Sequence, residues 1–186
     1  MKKIMIAACA VALAVTAQAA AFAWQTSGTG KLYNGNSSDL YTGTAYLFDS
    51  AAVSQQAVLE AWASGKSLGG SLDSKDIKAG AIAKGTTTFD WGNAGDMLYA
   101  FVVVDDGDKI FISNTASKMG DVAATQTFQF SLKSGSQVDP IEFEAGSAKF
   151  SAQGWYKSTG GGVPEPTSGF LLVLGMAGLA LRRRRA

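Results

Sequence analysis

A continuous apolar run near the middle of the chain constrains the fold more than any other segment. Residues 97–104 read MLYAFVVV, which is typical of a strand that is buried on both faces. Residues 105–108, DDGD, follow this run, and Gly107 can adopt the positive φ that a tight turn requires. Because the apolar segment KIFIS comes next, the sequence predicts a β-hairpin over residues 97–113.

Other segments predict further strands. Residues 126–132, QTFQFSL, alternate cleanly, so Phe128, Phe130 and Leu132 are expected to face the core and the residues between them to face outward. The remaining candidate strands are residues 40–48, 86–91, 141–145 and 148–156 (with Gly154 as a bulge), together with a weaker one near 77–83.

One segment departs from the β pattern. Residues 51–64 contain good helix formers, and Ser50 before them is a suitable N-cap. Val58 and Trp62 are four residues apart and therefore share a helix face, and Gly65 is a natural residue to end the helix. The prediction is a mainly β single domain, an antiparallel β-sandwich or jelly-roll-like fold, with one amphipathic α-helix at about 51–64 that covers a sheet.

The amino-acid composition excludes several kinds of catalytic and metal-binding site. The chain has no histidine, and its one cysteine, Cys9, lies in the N-terminal apolar segment. Disulfides, thiolate nucleophiles, Ser-His-Asp catalysis and histidine zinc sites are therefore excluded for the body, and no cofactor or metal is predicted. The body, residues 24–162, holds ten lysines, no arginine and fourteen carboxylates, for a net charge of −4. Such an acidic surface is a poor partner for nucleic acid.

Three aspartates in the predicted hairpin turn raise the question of calcium. Asp105, Asp106 and Asp108 are clustered, but their spacing is not that of an EF-hand loop. Turn chemistry alone explains them, so a solvated hairpin turn is the favoured interpretation and calcium binding stays open.

Two glutamates offer a catalytic alternative. Glu142 and Glu144 would point the same way from one strand, about 6.5–7 Å apart, which falls in the range of a glycosidase carboxylate pair. Any strand with an exposed acidic face gives the same spacing, and no other catalytic element accompanies them.

The tryptophans suggest a binding surface. Trp62 and Trp155 lie in apolar patterns and are expected in the core. Trp91 lies in the acidic, glycine-containing segment FDWGNAGD and is the best candidate for an exposed ligand contact, for example to a sugar.

The N-terminus has the pattern of an export signal. Two lysines precede the apolar residues 4–15, and the small-residue patterns AQA and AFA end at Ala19 and Ala23. Cleavage by signal peptidase after Ala23 is favoured, which would leave Trp24 first, and cleavage after Ala19 is the alternative. The segment is short for an uncleaved anchor.

The C-terminus has three parts in a fixed order. Pro164 and Pro166 hold Glu165 on an extended segment. The uncharged residues 169–181 would form a helix of about 20 Å, which is short for a hydrocarbon core of ~30 Å. The four arginines that follow should stay on the cytoplasmic side.

This arrangement resembles the PEP-CTERM class of bacterial exported proteins over residues 163–186, together with the export signal. The resemblance implies that the tail is a sorting signal for exosortase, a membrane-embedded cysteine protease or transpeptidase. By the same resemblance, Pro164, Glu165 and Pro166 are the recognition element, residues 169–181 hold it in the membrane, and the basic cluster stops transfer. That cluster is Arg182, Arg183, Arg184 and Arg185. The alternative is a plain C-terminal anchor.

Four segments result: signal peptide 1–23, β-rich domain 24–156, glycine-rich linker 157–162 and sorting signal 163–186. The expected function is that of an exported surface or matrix protein with a structural or adhesive role and no catalysis. The alternatives are a carbohydrate-binding module and, last, a glycoside hydrolase using carboxylates alone. The expected partners are exosortase, signal peptidase, the inner membrane transiently, and extracellular polysaccharide.

Overall fold

The computed structural model describes residues 19–83, 88–144 and 146–159. The protein is mainly β, with 43% strand and 7% helix, as the sequence predicts. The strands are Ala19–Thr26 (β1), Gly43–Asp49 (β2), Asp73–Lys78 (β3), Ala81–Ile82 (β4), Phe89–Asn93 (β5), Met97–Asp105 (β6), Ile110–Ile112 (β7), Ala116–Met119 (β8), Gln126–Phe130 (β9), Ile141–Phe143 (β10) and Gly154–Ser158 (β11). The helix among these residues is Gln55–Ala63 (α1).

The strands form two sheets. The larger has the order β10-β11-β7-β6-β2-β3-β4, with β8 also paired to β6, and the smaller has the order β5-β1-β9. Among the described strands the pairs are antiparallel except β1 with β9 and β10 with β11, which are parallel. The antiparallel arrangement expected from the sequence therefore holds for most of the fold but not for these two pairs.

Strand β6 is the centre of the larger sheet, and both of its faces are buried. Ala100, Val102 and Val104 point into a core shared with the smaller sheet. Phe101 and Val103 point the other way, into a core shared with α1. The continuous apolar run thus lies between two layers, and the predicted hairpin of β6 and β7 is confirmed.

The two cores define a layered domain. The first lies between the sheets and contains Ala20, Phe22, Trp24, Leu47, Val102, Phe111, Phe128, Phe130, Leu132 and Trp155, among others. The second lies between the larger sheet and α1 and contains Phe48, Val58, Leu59, Trp62, Phe101, Ile110 and Tyr156, among others. The predicted inward residues of the 126–132 segment and the predicted core tryptophans, Trp62 and Trp155, are confirmed.

Strand β1 is an element that the sequence analysis did not predict. The pattern of the export signal predicts that its first five residues are removed with that signal, yet Ala20, Phe22 and Ala23 are buried. The Phe22 ring lies 5.9 Å from that of Phe89 and 5.8 Å from that of Phe128, measured between centroids. The sheet therefore uses residues that precede Trp24.

The helix is shorter than predicted at its N-terminal end. It begins at Gln55, with Ser54 as N-cap accepting a hydrogen bond from the Ala57 backbone at 3.1 Å. Ser50 does not cap the helix, because the Asp49 carboxylate accepts the Ala51 N–H at 2.8 Å and holds a separate turn there. The predicted end at Gly65 is correct, since that residue has φ of 67°.

Several strand boundaries also differ from the prediction. Residues 148–153 are not strand, and β11 begins at the buried Gly154, which is therefore not a bulge in a longer strand. The weak strand near 77–83 is the hairpin of β3 and β4, turned by Ala79 and Gly80 at positive φ. Strand β8 was not predicted, because ASKM carries neither strict alternation nor β-branched residues.

The terminal segments, residues 1–18 and 160–186, lie outside the described residues. The predicted signal peptide up to residue 18, the C-terminal apolar helix and the arginine cluster fall there. Over residues 19–83, 88–144 and 146–159, no helix combines the length and apolar character needed to span a membrane.

Replacing Phe22 with alanine should lower the free energy of unfolding by about 3–5 kcal/mol, because a fully buried aromatic ring leaves a cavity between the sheets. Urea denaturation of the exported protein measures this change. Val138→Ala, at a site that is 55% exposed, is the matched control and should change stability by about 0.5 kcal/mol at most. Equal effects of the two changes would show that β1 is not part of the folded core.

Candidate functional site

The turn between β6 and β7 organises the most distinctive polar cluster of the described residues. Gly107 has φ of 84°, and the Asp106 N–H donates to the Lys109 carbonyl at 2.9 Å, closing the turn. Asp105 is the last residue of β6 and pairs with Ile110. Asp105 and Asp106 take part in different contacts, one with the helix and one with the loop that precedes β2.

Asp105 connects the turn to the helix. Its Oδ1 atom accepts a hydrogen bond from Trp62 Nε1 at 3.0 Å and another from the Gly107 N–H at 2.9 Å. Trp62 is buried, and its indole N–H needs a partner, which the exposed carboxylate supplies. The carboxylate is therefore held in one orientation at the surface.

A surface pocket of about 420 Å³ lies beside this carboxylate. Its lining includes a half-buried aromatic ring, an exposed ammonium group, a hydroxyl group and the Asp105 carboxylate. The lining residues are Tyr46, Lys66, Ser67, Leu68, Asp105 and Gly107. The pocket thus offers one flat apolar surface together with hydrogen-bond donors and acceptors, which is the combination that binding sites for small polar ligands use.

Asp106 belongs to a second cluster. The pKa of Tyr41 is raised to about 12, mainly by burial, then by the charge of the nearby Asp106 carboxylate and a hydrogen bond with it, with a smaller contribution from Asp105. Lys109 lies 3.7 Å from Asp106 and 4.8 Å from the centre of the Trp155 ring. In this cluster of Tyr41, Asp106, Lys109 and Trp155, each charged group is paired and each ring is packed. These contacts indicate a structural role.

The three turn aspartates have separate partners. Asp105 is bonded to Trp62, Asp106 is paired with Lys109, and Asp108 lies 3.8 Å from Lys157. No group of three or more acidic, histidine or cysteine side chains within the described parts of the chain is arranged to hold a metal ion.

The other candidate residues lie away from the pocket. Trp91 is half-buried on β5, and its ring meets that of Phe22 edge-on at 6.2 Å, so part of its surface serves the core between the sheets. Glu142 on β10 and Glu144 just after it are both exposed. The pocket brings none of these three side chains together with Asp105.

Sequence reasoning missed most of the pocket. Tyr46 was placed on a strand, and the alternation of LYTGTAYLF could have shown that Tyr46 and Phe48 share a face. The sequence predicts neither a helix nor a strand at Lys66 and Ser67, and their proximity to the turn depends on where α1 packs. That information is tertiary and has no local signal in the sequence.

The comparisons with known proteins concern the C-terminal tail, which lies outside the described residues. Residues 162–185 match the model of the PEP-CTERM protein-sorting motif. The resemblance predicted from Pro164, Glu165, Pro166 and the arginine cluster is thereby confirmed. The body matches no family model, and no curated protein or solved structure matches the chain.

The sorting motif indicates how the chain is delivered. PEP-CTERM substrates are processed by exosortase, a membrane enzyme, and the motif implies export to the cell surface through the membrane. The motif therefore suggests an extracellular surface protein that exosortase sorts.

The raised pKa of Tyr41 predicts a pH-dependent loss of stability in strongly alkaline solution. The protonated phenol is favoured by the fold, so its contribution to stability is fully present below pH 10 and is lost as the pH rises toward 12. Urea denaturation between pH 9 and pH 12 measures it, and Tyr41→Phe should remove this part of the slope.

Absorbance titration provides the control. Asp106→Asn should lower the pKa of Tyr41 but leave it above 10, because burial is the larger cause. A Tyr41 that ionises near pH 10 in the unmodified protein would contradict this account of the cluster.

Proposed function

We propose that this protein is a structural or adhesive component of the cell surface or extracellular polymer, and that it acts by binding rather than by catalysis. The observation that carries the proposal is the match of residues 162–185 to the sorting motif. A chain delivered by such a motif acts outside the cell, where its acidic body meets surface polymers.

The route of delivery follows from the two ends of the chain. An N-terminal export signal removed by signal peptidase takes the body across the inner membrane. The apolar residues 169–181 and the arginines after them then hold the tail in that membrane. Exosortase reads the segment around Glu165 and releases the protein to the surface.

The pocket beside Asp105 supports polysaccharide as the ligand. The Tyr46 ring can stack on a sugar face, and Lys66, Ser67 and Asp105 can exchange hydrogen bonds with hydroxyl groups. The bond from Trp62 fixes the carboxylate before a ligand arrives, which reduces the ordering that binding requires. A carbohydrate-binding module that works beside other proteins is the second candidate, and the same pocket would serve it.

The tail should be removed on arrival at the surface. Intact mass and C-terminal peptide mapping of protein recovered from its native host should place the new C-terminus between residues 162 and 168. Replacing Pro164, Glu165 and Pro166 with alanine should leave the uncut precursor in the membrane fraction, whereas Ser168→Ala, next to the motif, should still be processed.

An uncut tail would contradict this prediction. Recovery of the unmodified chain in the membrane fraction with its tail intact through Arg185 would make the tail a permanent anchor, and the sorting proposal would fail.

A glycan-binding screen of the exported protein tests the ligand. Tyr46→Ala should weaken saturable binding by about tenfold, the loss expected when an aromatic contact worth ~1.4 kcal/mol is removed. Tyr99→Ala is the matched control, because that tyrosine is 50% exposed on the same sheet and lies outside the pocket.

Two outcomes would change the assignment. Binding lost in Trp91→Ala and kept in Tyr46→Ala would move the ligand contact to the 90–96 segment. The absence of saturable binding to any glycan would argue against both the polysaccharide ligand and the binding-module candidate.

A further inference from the structure

We propose that signal peptidase cuts this chain after Ala19, so that the exported protein begins at Ala20; the inference rests on the export proposed above. Two small-residue patterns end at Ala19 and Ala23, and the sequence alone favours the second. The contacts of strand β1 favour the first.

Strand pairing distinguishes the two cuts. Strand β5 is the end strand of the smaller sheet, and β1 is its partner there. The pairs between them join Ala19 to Asn93, Ala20 to Trp91, Ala21 to Asp90 and Phe22 to Phe89. Every one of these pairs uses a residue before position 23, so a cut after Ala23 would remove the whole β1 side of the pairing and leave β5 without its partner strand.

The core between the sheets makes the same distinction. Ala20, Phe22 and Ala23 are buried, and the Phe22 ring contacts the rings of Phe89 and Phe128. A cut after Ala23 would remove all three buried residues. It would also create a charged α-amino group on Trp24, which is fully buried and paired with Phe128 of β9.

A cut after Ala19 removes less of the fold: it keeps Ala20, Phe22 and Ala23 in the core and loses only the pair of Ala19 with Asn93. Its new α-amino group belongs to Ala20, which is also buried but would be the first residue of the strand. Ala19 is exposed, and the pairing register shifts between Ala19 and Ala20, so regular pairing begins with the residue that would become the first. The Asp96 carboxylate accepts the Asn93 N–H at 2.7 Å beside this end of the strand. The new ammonium group therefore forms at the end of β1, where the strand pair also carries this carboxylate, and opposite charges attract.

The first experiment expresses the full chain in an exporting bacterial host and determines the N-terminus of the exported product by intact mass and N-terminal sequencing. A start at Ala20 is expected. A start at Trp24 would overturn this inference and leave the export proposal standing. A product that keeps the N-terminal segment uncut would overturn this inference together with the proposed removal of that segment by signal peptidase.

Matched variants test which pattern the peptidase reads, since it requires small neutral residues at the cut and two positions before it. Ala17→Asp should abolish products that begin at Ala20. Ala21→Asp changes the other pattern by the same substitution at a half-buried site, and its product should still begin at Ala20. The reverse pattern, with Ala21→Asp blocking the cut and Ala17→Asp having no effect, would refute the inference even if neither variant folds stably, because the readout is the cut itself.

Discussion

The two-sided burial of strand β6 is the constraint on which the rest of the structure depends. An apolar strand with side chains on both faces requires cover on both faces. The smaller sheet covers Val102 and Val104, and α1 covers Phe101 and Val103. The layered order of small sheet, large sheet and helix covers both faces of β6.

The candidate site follows from the same strand. β6 ends at Asp105, and the tight turn after it places neighbouring carboxylates on different partners. Asp105 holds Trp62 of the helix and borders the pocket, whereas Asp106 faces Tyr41 and Lys109. Asp105 and Asp106 are neighbours in one acidic cluster of the sequence. In the fold, Asp105 borders a surface pocket, whereas Asp106 has a structural role.

How much the sequence could predict depended on whether the signal was local. The hairpin and the inward-facing Phe128 were predictable, because apolar runs, alternation and Gly107 act over a few residues. Strand β1 was hidden because AAAFAWQT also carries a cleavage pattern, and an alanine-rich segment satisfies both descriptions. The bond from Trp62 to Asp105 spans 43 positions of sequence, so only the packing of α1 reveals it, and the pocket with it.

The parallel pairing of β1 with β9 sets the order in which the domain can be completed. Phe22 lies beside Gln126, about 100 residues later in the chain, so the first strand to leave the cell must wait for one of the last. Long-range pairings of this kind form slowly, because the loop must close before any contact is gained. The smaller sheet therefore cannot close before residues 126–130 are available to pair with β1.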